Sequence, residues 1–281
     1  MCRWWGLAVL TCLGAAALAV PYGNAIVGPA NPEDGKLAKG RYTNEYFKIA
    51  YPLPSGWSED RHGPAPSYSG YYVLIALKGS GGRNGTMLIA AQDQFFATDP
   101  SISSAEMVEQ FRRRISEIDG MAIDHEPEEM TISGARFTRL EYSGVGLFRT
   151  MLVAESRCHF ISFNLTTNDP DRRASLAQSL KDLSLGKPAD RARSTPICVK
   201  DYATPEHLLS RVNPAPAGPK YTSVPVRIII GVDGRVRHIH VIRASAEQKE
   251  NITAALSGWR FRPLTMEGRA VEVETGVIFR F

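Results

Sequence analysis

Apolar and polar residues alternate strictly near the C-terminal end, where Val224, Val226, Ile228, Ile230 and Val232 lie two apart. That period predicts a strand with one buried face. Asp233-Gly234 follows, and glycine there tolerates the positive φ that a tight hairpin turn needs. Residues 235–243 are the returning strand. Ser245 with Gln248 forms a capping box, in which each satisfies a free backbone N–H at a helix start. The helix it opens aligns Ile252, Ala255, Leu256 and Trp259, and Pro263 ends it. Glu267-Gly268 then turns the chain. Val271, Val273, Thr275, Val277, Phe279 and Phe281 alternate in a last strand, so the expected order is β-β-α-β.

Upstream, residues 41–185 read as one mixed domain. Phe47-Lys48-Ile49-Ala50-Tyr51 alternates and ends at Pro52 as a short strand; residues 71–77 and 86–94 are apolar strands. The glycine-rich stretch 79–85 joins two strands and opens no helix, so it is a hairpin turn and not a phosphate cradle. Ser103 with Glu106 caps a helix whose face is Met107, Phe111, Ile115 and Ile118, ending at Gly120. Residues 129–142 and 147–165 are further strands. Asp169 as N-cap and Pro170 at the first helical position open a second helix carrying Leu176, Leu180 and Leu183. The fold class expected is α+β in two domains: an antiparallel sheet with covering helices, then the small β-β-α-β unit at 222–281.

Between and before these units the pattern fades. Residues 26–40 are rich in Gly, Pro, Asn and Asp and read as a flexible lead-in. Residues 186–221 hold six prolines and read as a linker, with a short helix at 205–211. Residues 1–25 carry Arg3, then a nearly continuous apolar stretch, then small residues suited to signal-peptidase cleavage. The stretch, about 17 residues, also reaches the lower limit of a membrane span, so an uncleaved anchor is the alternative, and membrane contact is expected only in that case. The expected location is therefore exported, in a bacterial periplasm or envelope.

Composition narrows the classes. With 281 residues, 43% hydrophobic and 22% charged, the chain is globular and long enough for two domains. A net charge of +4 with scattered cations gives no nucleic-acid footprint; the run Arg112-Arg113-Arg114 is a solvated helix face. Cys2 and Cys12 fall in the export segment. Cys158 and Cys198 remain, and in an oxidising compartment they either pair or stand as one buried and one exposed free thiol.

Two stretches resemble known families. A strand, Asp233-Gly234, a second strand, a helix ending in Trp259-Arg260-Phe261-Arg262-Pro263, a turn at Gly268 and a terminal strand together resemble the C-terminal domain of the TonB family. In it Trp259 and Phe261 would plug the helix onto the sheet while Pro263 turns the chain back. The resemblance implies a free edge strand to which an extended peptide adds by β-augmentation, with a periplasmic segment of an outer-membrane transporter, or another envelope protein, as partner. The last strand, residues 271–281, would be that edge, with Glu272, Glu274, Ile278 and Arg280 facing outward; Glu272 and Glu274 serve equally as gatekeepers against aggregation. A free edge also pairs with its own copy, giving a homodimer. The opening strand 47–52 with Gly56-Trp57, and the element order across 41–185, are similar to PsbP-like domains, which implies a binding or assembly module.

Departures from full-length TonB argue against energy transduction as the first reading. The spacer is short, and the N-terminal apolar segment has no histidine or other polar group for a proton-driven motor to engage. Catalytic signatures are lacking: there is no Gly-x-Ser-x-Gly, Cys-x-x-Cys or His-Glu-x-x-His. His238 and His240 share a strand face, yet no third metal ligand is evident, so no metal or other cofactor is expected. Cys158 and His159 are strand neighbours that point apart, which removes them as a nucleophile–base pair. Asp124, Glu126, Glu128 and Glu129 read as a solvated turn. The leading expectation is a protein-binding envelope module and not an enzyme. Its alternative is an enzyme or small-ligand binder sited in 41–185, which a deep polar pocket there would betray.

Overall fold

The computed structural model describes residues 30–61, 63–80, 85–98, 103–186, 196–218 and 220–281. Residues 1–29, where the export segment is expected, lie outside them with Cys2 and Cys12, as do residues 81–84 of the glycine-rich stretch and residues 187–195. Among the described residues no helix is long and apolar enough to cross a membrane.

The described residues open with a three-stranded meander, β1 (Gly35–Ala38), β2 (Arg41–Asn44) and β3 (Ile49–Pro52). Part of the supposed flexible lead-in is thus a strand, with Gly35 paired to Asn44. Next come β4 (Trp57–Arg61), β5 (Tyr71–Gly79), β6 (Thr86–Asp93), helix α1 (Ser104–Ser116), β7 (Met121–Ile132), β8 (Ala135–Gly144), β9 (Leu147–Ser156), β10 (His159–Thr167) and helix α2 (Pro170–Gln178). The seven strands form one antiparallel sheet in the order β4-β5-β6-β10-β9-β8-β7.

Alternation along β9 and β10 splits the apolar residues between the two sheet faces. Met151, Val153 and Phe160 pack with α1 through Val108 and Ile115, while Leu152, Ile161, Phe163 and Leu165 meet the meander and Leu176, Leu180 and Leu183. Ser103 accepts from the Glu106 backbone, and Asp169 accepts from Asp171 with Pro170 in the first turn, so both helix starts lie where their caps predict. Ile118, expected on the buried face of α1, lies past the helix end and is 51% exposed. The acidic cluster 124–129 is a strand and not a turn, because β7 pairs with β8 while Arg173 pairs with Asp124 and Arg139 with Glu128.

The proline-rich segment is more ordered than a linker. It holds β11 (Ile197–Cys198) and β12 (Leu208–Ser210), and β12 replaces the expected helix at 205–211. Then follow β13 (Ser223–Ile230), β14 (Val236–Val241), helix α3 (Ala246–Ser257), β15 (Arg260–Phe261), β16 (Leu264–Met266), β17 (Arg269–Val271) and β18 (Val273–Arg280). The second sheet runs β11-β18-β13-β14; β12 pairs with β15 and β16 with β17. The Ser245–Gln248 capping box is present. α3 nevertheless stops at Ser257 with Gly258 as C-cap, well before Pro263, because Arg260 and Phe261 are drawn into pairing with β12. Trp259 therefore lies beyond the helix, but it still packs into the core with Phe261 and Phe279, and its Nε1 donates to the Val212 carbonyl at 2.7 Å.

Among the described residues the fold is α+β, mostly antiparallel sheet with three α-helices. β13 corrects the one-sided strand expected from its alternation. Val224, Val226, Ile228 and Ile230 face α3 and the second core, whereas Arg227 and Ile229 are buried on the opposite face, against the first sheet.

Candidate functional site

Two features meet on the second sheet: a charge network buried at its junction with the first, and the outer side of β18.

The network follows from strand period. Arg227 on β13 and Glu274 on β18 are on the face turned away from α3. Arg227 Nη1 donates to Asp93 Oδ2 at 2.5 Å, and its Nη2 donates to Glu274 Oε1 at 2.9 Å. Tyr46 Oη donates to the same Glu274 oxygen at 2.9 Å, and Arg157 Nη2 lies 3.7 Å from Glu274 Oε2. Phe95 N donates to Asp93 Oδ1 at 2.7 Å, and the Arg227 guanidinium lies over the Phe95 ring. Gly276 continues this face, where a Cβ would come within 2.7 Å of Phe95.

Burial sets the charge states. Desolvation pushes the Asp93 carboxyl above its ordinary range despite the facing Arg227. Burial also pushes Glu274 up, but Arg227, Arg157 and the hydrogen bonds from Arg227 and Tyr46 together hold it below the usual value. Arg227 stays charged, since its acidic partners outweigh its own burial. His159 is driven well below its normal value, by desolvation first and then by Arg227. The His159 Nδ1 donates to the Arg157 carbonyl at 2.7 Å, so Nε2 of the neutral ring carries no proton. His240, also desolvated and near Arg227, falls to about 4. The pair His238 and His240 is thus a neutral, buried His240 with Nε2 3.4 Å from Glu33 and a half-buried His238; among the described residues no group of three His, Cys, Asp or Glu is placed to hold a metal.

The outer side of β18 is the second feature. Ile197 N donates to the Glu272 carbonyl at 2.8 Å, and Val199 N donates to that of Glu274 at 3.0 Å. Along a strand each residue sends its N–H and C=O to one side, and successive residues alternate. Gly276, Ile278 and Arg280 therefore also present their backbone groups outward, past the point where the two-residue β11 stops pairing. Among the described residues no backbone partner meets them there. A cleft of about 490 Å³ borders this stretch, lined by residues 278–281 and by the proline-rich run 213–217 with Arg211. The run is fixed by Asn251, which donates to the Ala215 and Pro216 carbonyls, and by the Trp259–Val212 bond.

These positions divide the expected site. Ile278, 51% exposed, and Arg280, exposed, lie on the free part of the edge. Glu274 does not face outward: it is 3% exposed and belongs to the charge network, because its strand face is covered by the first sheet. Glu272 is half-buried, its carbonyl is taken by β11, and it lines a second cleft of about 750 Å³ with Arg157, Cys198 and Val271. Asp233 and Gly234 form the turn, where Asp233 Oδ1 accepts from Arg235 N and Gly234 adopts φ 75°. Gly268, φ 76°, turns β16 into β17, with exposed Pro263 just before. Cys158 and Cys198 are joined in a disulfide that ties the β9–β10 turn to β11.

Comparison with known proteins is sparse. No family model matches this chain, and no curated protein matches it. Among solved structures, the solution structure of cyanobacterial PsbP (CyanoP) from Synechocystis is similar, with 13% identity and a TM-score of 0.38, covering 59% of this chain and 99% of that one. So low a score leaves the site to be argued from its own geometry.

Sequence reasoning missed Arg227, Asp93, Arg157 and Tyr46 altogether. One signal was available: Arg227 interrupts the apolar run 224–230, and a charge inside such a run needs a buried partner.

Proposed function

We propose that this chain is an exported envelope protein that binds an extended peptide segment by strand addition to the outer edge of β18, from Gly276 to Arg280. The observation that carries this reading is the alternation that turns the backbone groups of Gly276, Ile278 and Arg280 away from β13, with a cleft bordering Ile278 and Arg280. Backbone pairing would supply affinity and alternate side chains selectivity. Ile278 offers an apolar contact, and Arg280 with Arg211 favours a segment carrying carboxylates. The resemblance of residues 224–281 to TonB C-terminal domains suggests a periplasmic segment of an outer-membrane transporter as the partner. The role is binding, not catalysis.

Selecting extended peptides from a displayed random library on the full-length chain tests the proposal. Bound peptides are expected to slow amide exchange at Gly276, Ile278 and Arg280 and to be enriched in Asp or Glu. Protection at another surface, or only self-association of the chain, contradicts it.

A further inference from the structure

β11 already occupies part of this edge. It covers Glu272 and Glu274, whose carbonyls accept from Ile197 N and Val199 N, and its parallel pairing with β18 stops there. The chain just beyond is anchored separately. Thr275 Oγ1 donates to the Lys200 carbonyl at 2.9 Å, and Tyr202, buried in the second core, donates its hydroxyl to the Arg262 carbonyl at 2.5 Å. So short a ladder is a weak hold for a strand of two residues. What fixes β11 in addition is the disulfide from Cys198 to Cys158. Cys158 is rigidly placed: it is 5% exposed, and with Arg157 it forms the two-residue turn between β9 and β10, both at positive φ. Cys198 is exposed and lines the 750 Å³ cleft, so a thiol reagent can reach its sulfur.

We propose that the Cys158–Cys198 disulfide is a redox clamp: it holds β11 on the first part of the binding edge, and its reduction lengthens the free edge from Gly276–Arg280 to Glu272–Arg280. The reductant is a dithiol. One of its thiolates attacks the Cys198 sulfur, the S–S bond breaks, and Cys158 leaves and takes up a proton. The second dithiol sulfur then resolves the mixed disulfide, releasing Cys198 as a thiol and closing the reductant's own disulfide. The reduced Cys158 has a ready partner, since Glu274 Oε2 lies 3.9 Å from its sulfur. Release stops at Lys200, where the Thr275 and Tyr202 contacts begin. The oxidised chain would therefore accept a short strand and the reduced chain a longer one. The functional meaning rests on the strand-adding reading, but the clamp itself is measurable without any partner.

The experiment is hydrogen–deuterium exchange on the full-length chain, oxidised, reduced with dithiothreitol, and as Cys198→Ser. Reduction and Cys198→Ser are both expected to speed exchange at the Ile197 and Val199 amides by about tenfold or more while leaving β13 amides unchanged. Unchanged exchange at Ile197 and Val199 overturns the clamp. A matching rise across β13 also overturns it, making the disulfide a staple of the whole fold. Library peptides that bind in neither redox state would count against strand addition and leave the exchange result standing.

Discussion

Arg227 on β13 donates to Asp93 at the end of β6 across 2.5 Å, and both side chains are almost fully buried between the two sheets. The contact spans 134 positions of sequence and, with Glu274, fixes how the second sheet lies on the first. Arg227→Met keeps much of the stem but leaves Asp93 without its cation and Glu274 with only the more distant Arg157. Removing one partner of a buried pair costs about 3–5 kcal/mol, and urea denaturation of this variant should show a loss of that size. A loss below about 1 kcal/mol, the range of surface pairs, would mean the network adds little to the junction.

The buried histidines make stability fall with acid. His240 and His159 are kept neutral in the folded chain, by desolvation first, with Arg227 opposing their charge as well. In the unfolded chain both protonate near the ordinary value of about 6.5. Between that value and about 4 for His240, the unfolded state holds more protons, so stability present above 6.5 is lost as pH falls through this window. Glu274, held low, loses its contribution in still more acidic solution, whereas Asp93, held high, works in the opposite direction. His240→Gln should flatten the dependence of unfolding free energy on pH across this window; an unchanged slope would show that His240 titrates normally.

Two glycines with nearly the same φ should respond differently to alanine. At Gly234, φ 75°, a Cβ would lie 2.0 Å from the Phe261 carbonyl oxygen, which is backbone and itself held in place because Phe261 N donates to Gly234 O. At Gly268, φ 76°, a Cβ meets nothing within 4 Å. Gly268→Ala should therefore cost only the left-handed penalty of about 1–2 kcal/mol. Gly234→Ala should cost clearly more, with thermal denaturation as the check. Equal losses would contradict the close approach of β15 to the turn.

Much of the second sheet was legible because its signals are local. The capping box at Ser245 and the turn at Gly234 each depend on a few neighbouring residues and lie where expected, and the alternation expected over 271–281 holds in β18 from Val273, while Val271 closes β17. What sequence could not show came from distance. Arg157-Cys158 carries no turn signal, because neither residue is a turn former, so residues 147–165 read as uninterrupted strand; the cost of two positive φ values is met by the surrounding pairing and the disulfide. β11 and β12 hold two and three residues, too short for any period, and exist only because β18 and β15 offer them edges. Glu274 looked outward by alternation, which names a face but not what covers it.

The most direct test of the central claim is the affinity of library-selected peptides for Ile278→Pro. The N–H lost at this position points away from β13, so the inner ladder survives, as edge strands permit. The account predicts that binding weakens by about tenfold or more, equivalent to about 1.4 kcal/mol, while the melting temperature stays close to that of the parent chain. Unaltered affinity in a folded Ile278→Pro chain would contradict strand addition at this edge.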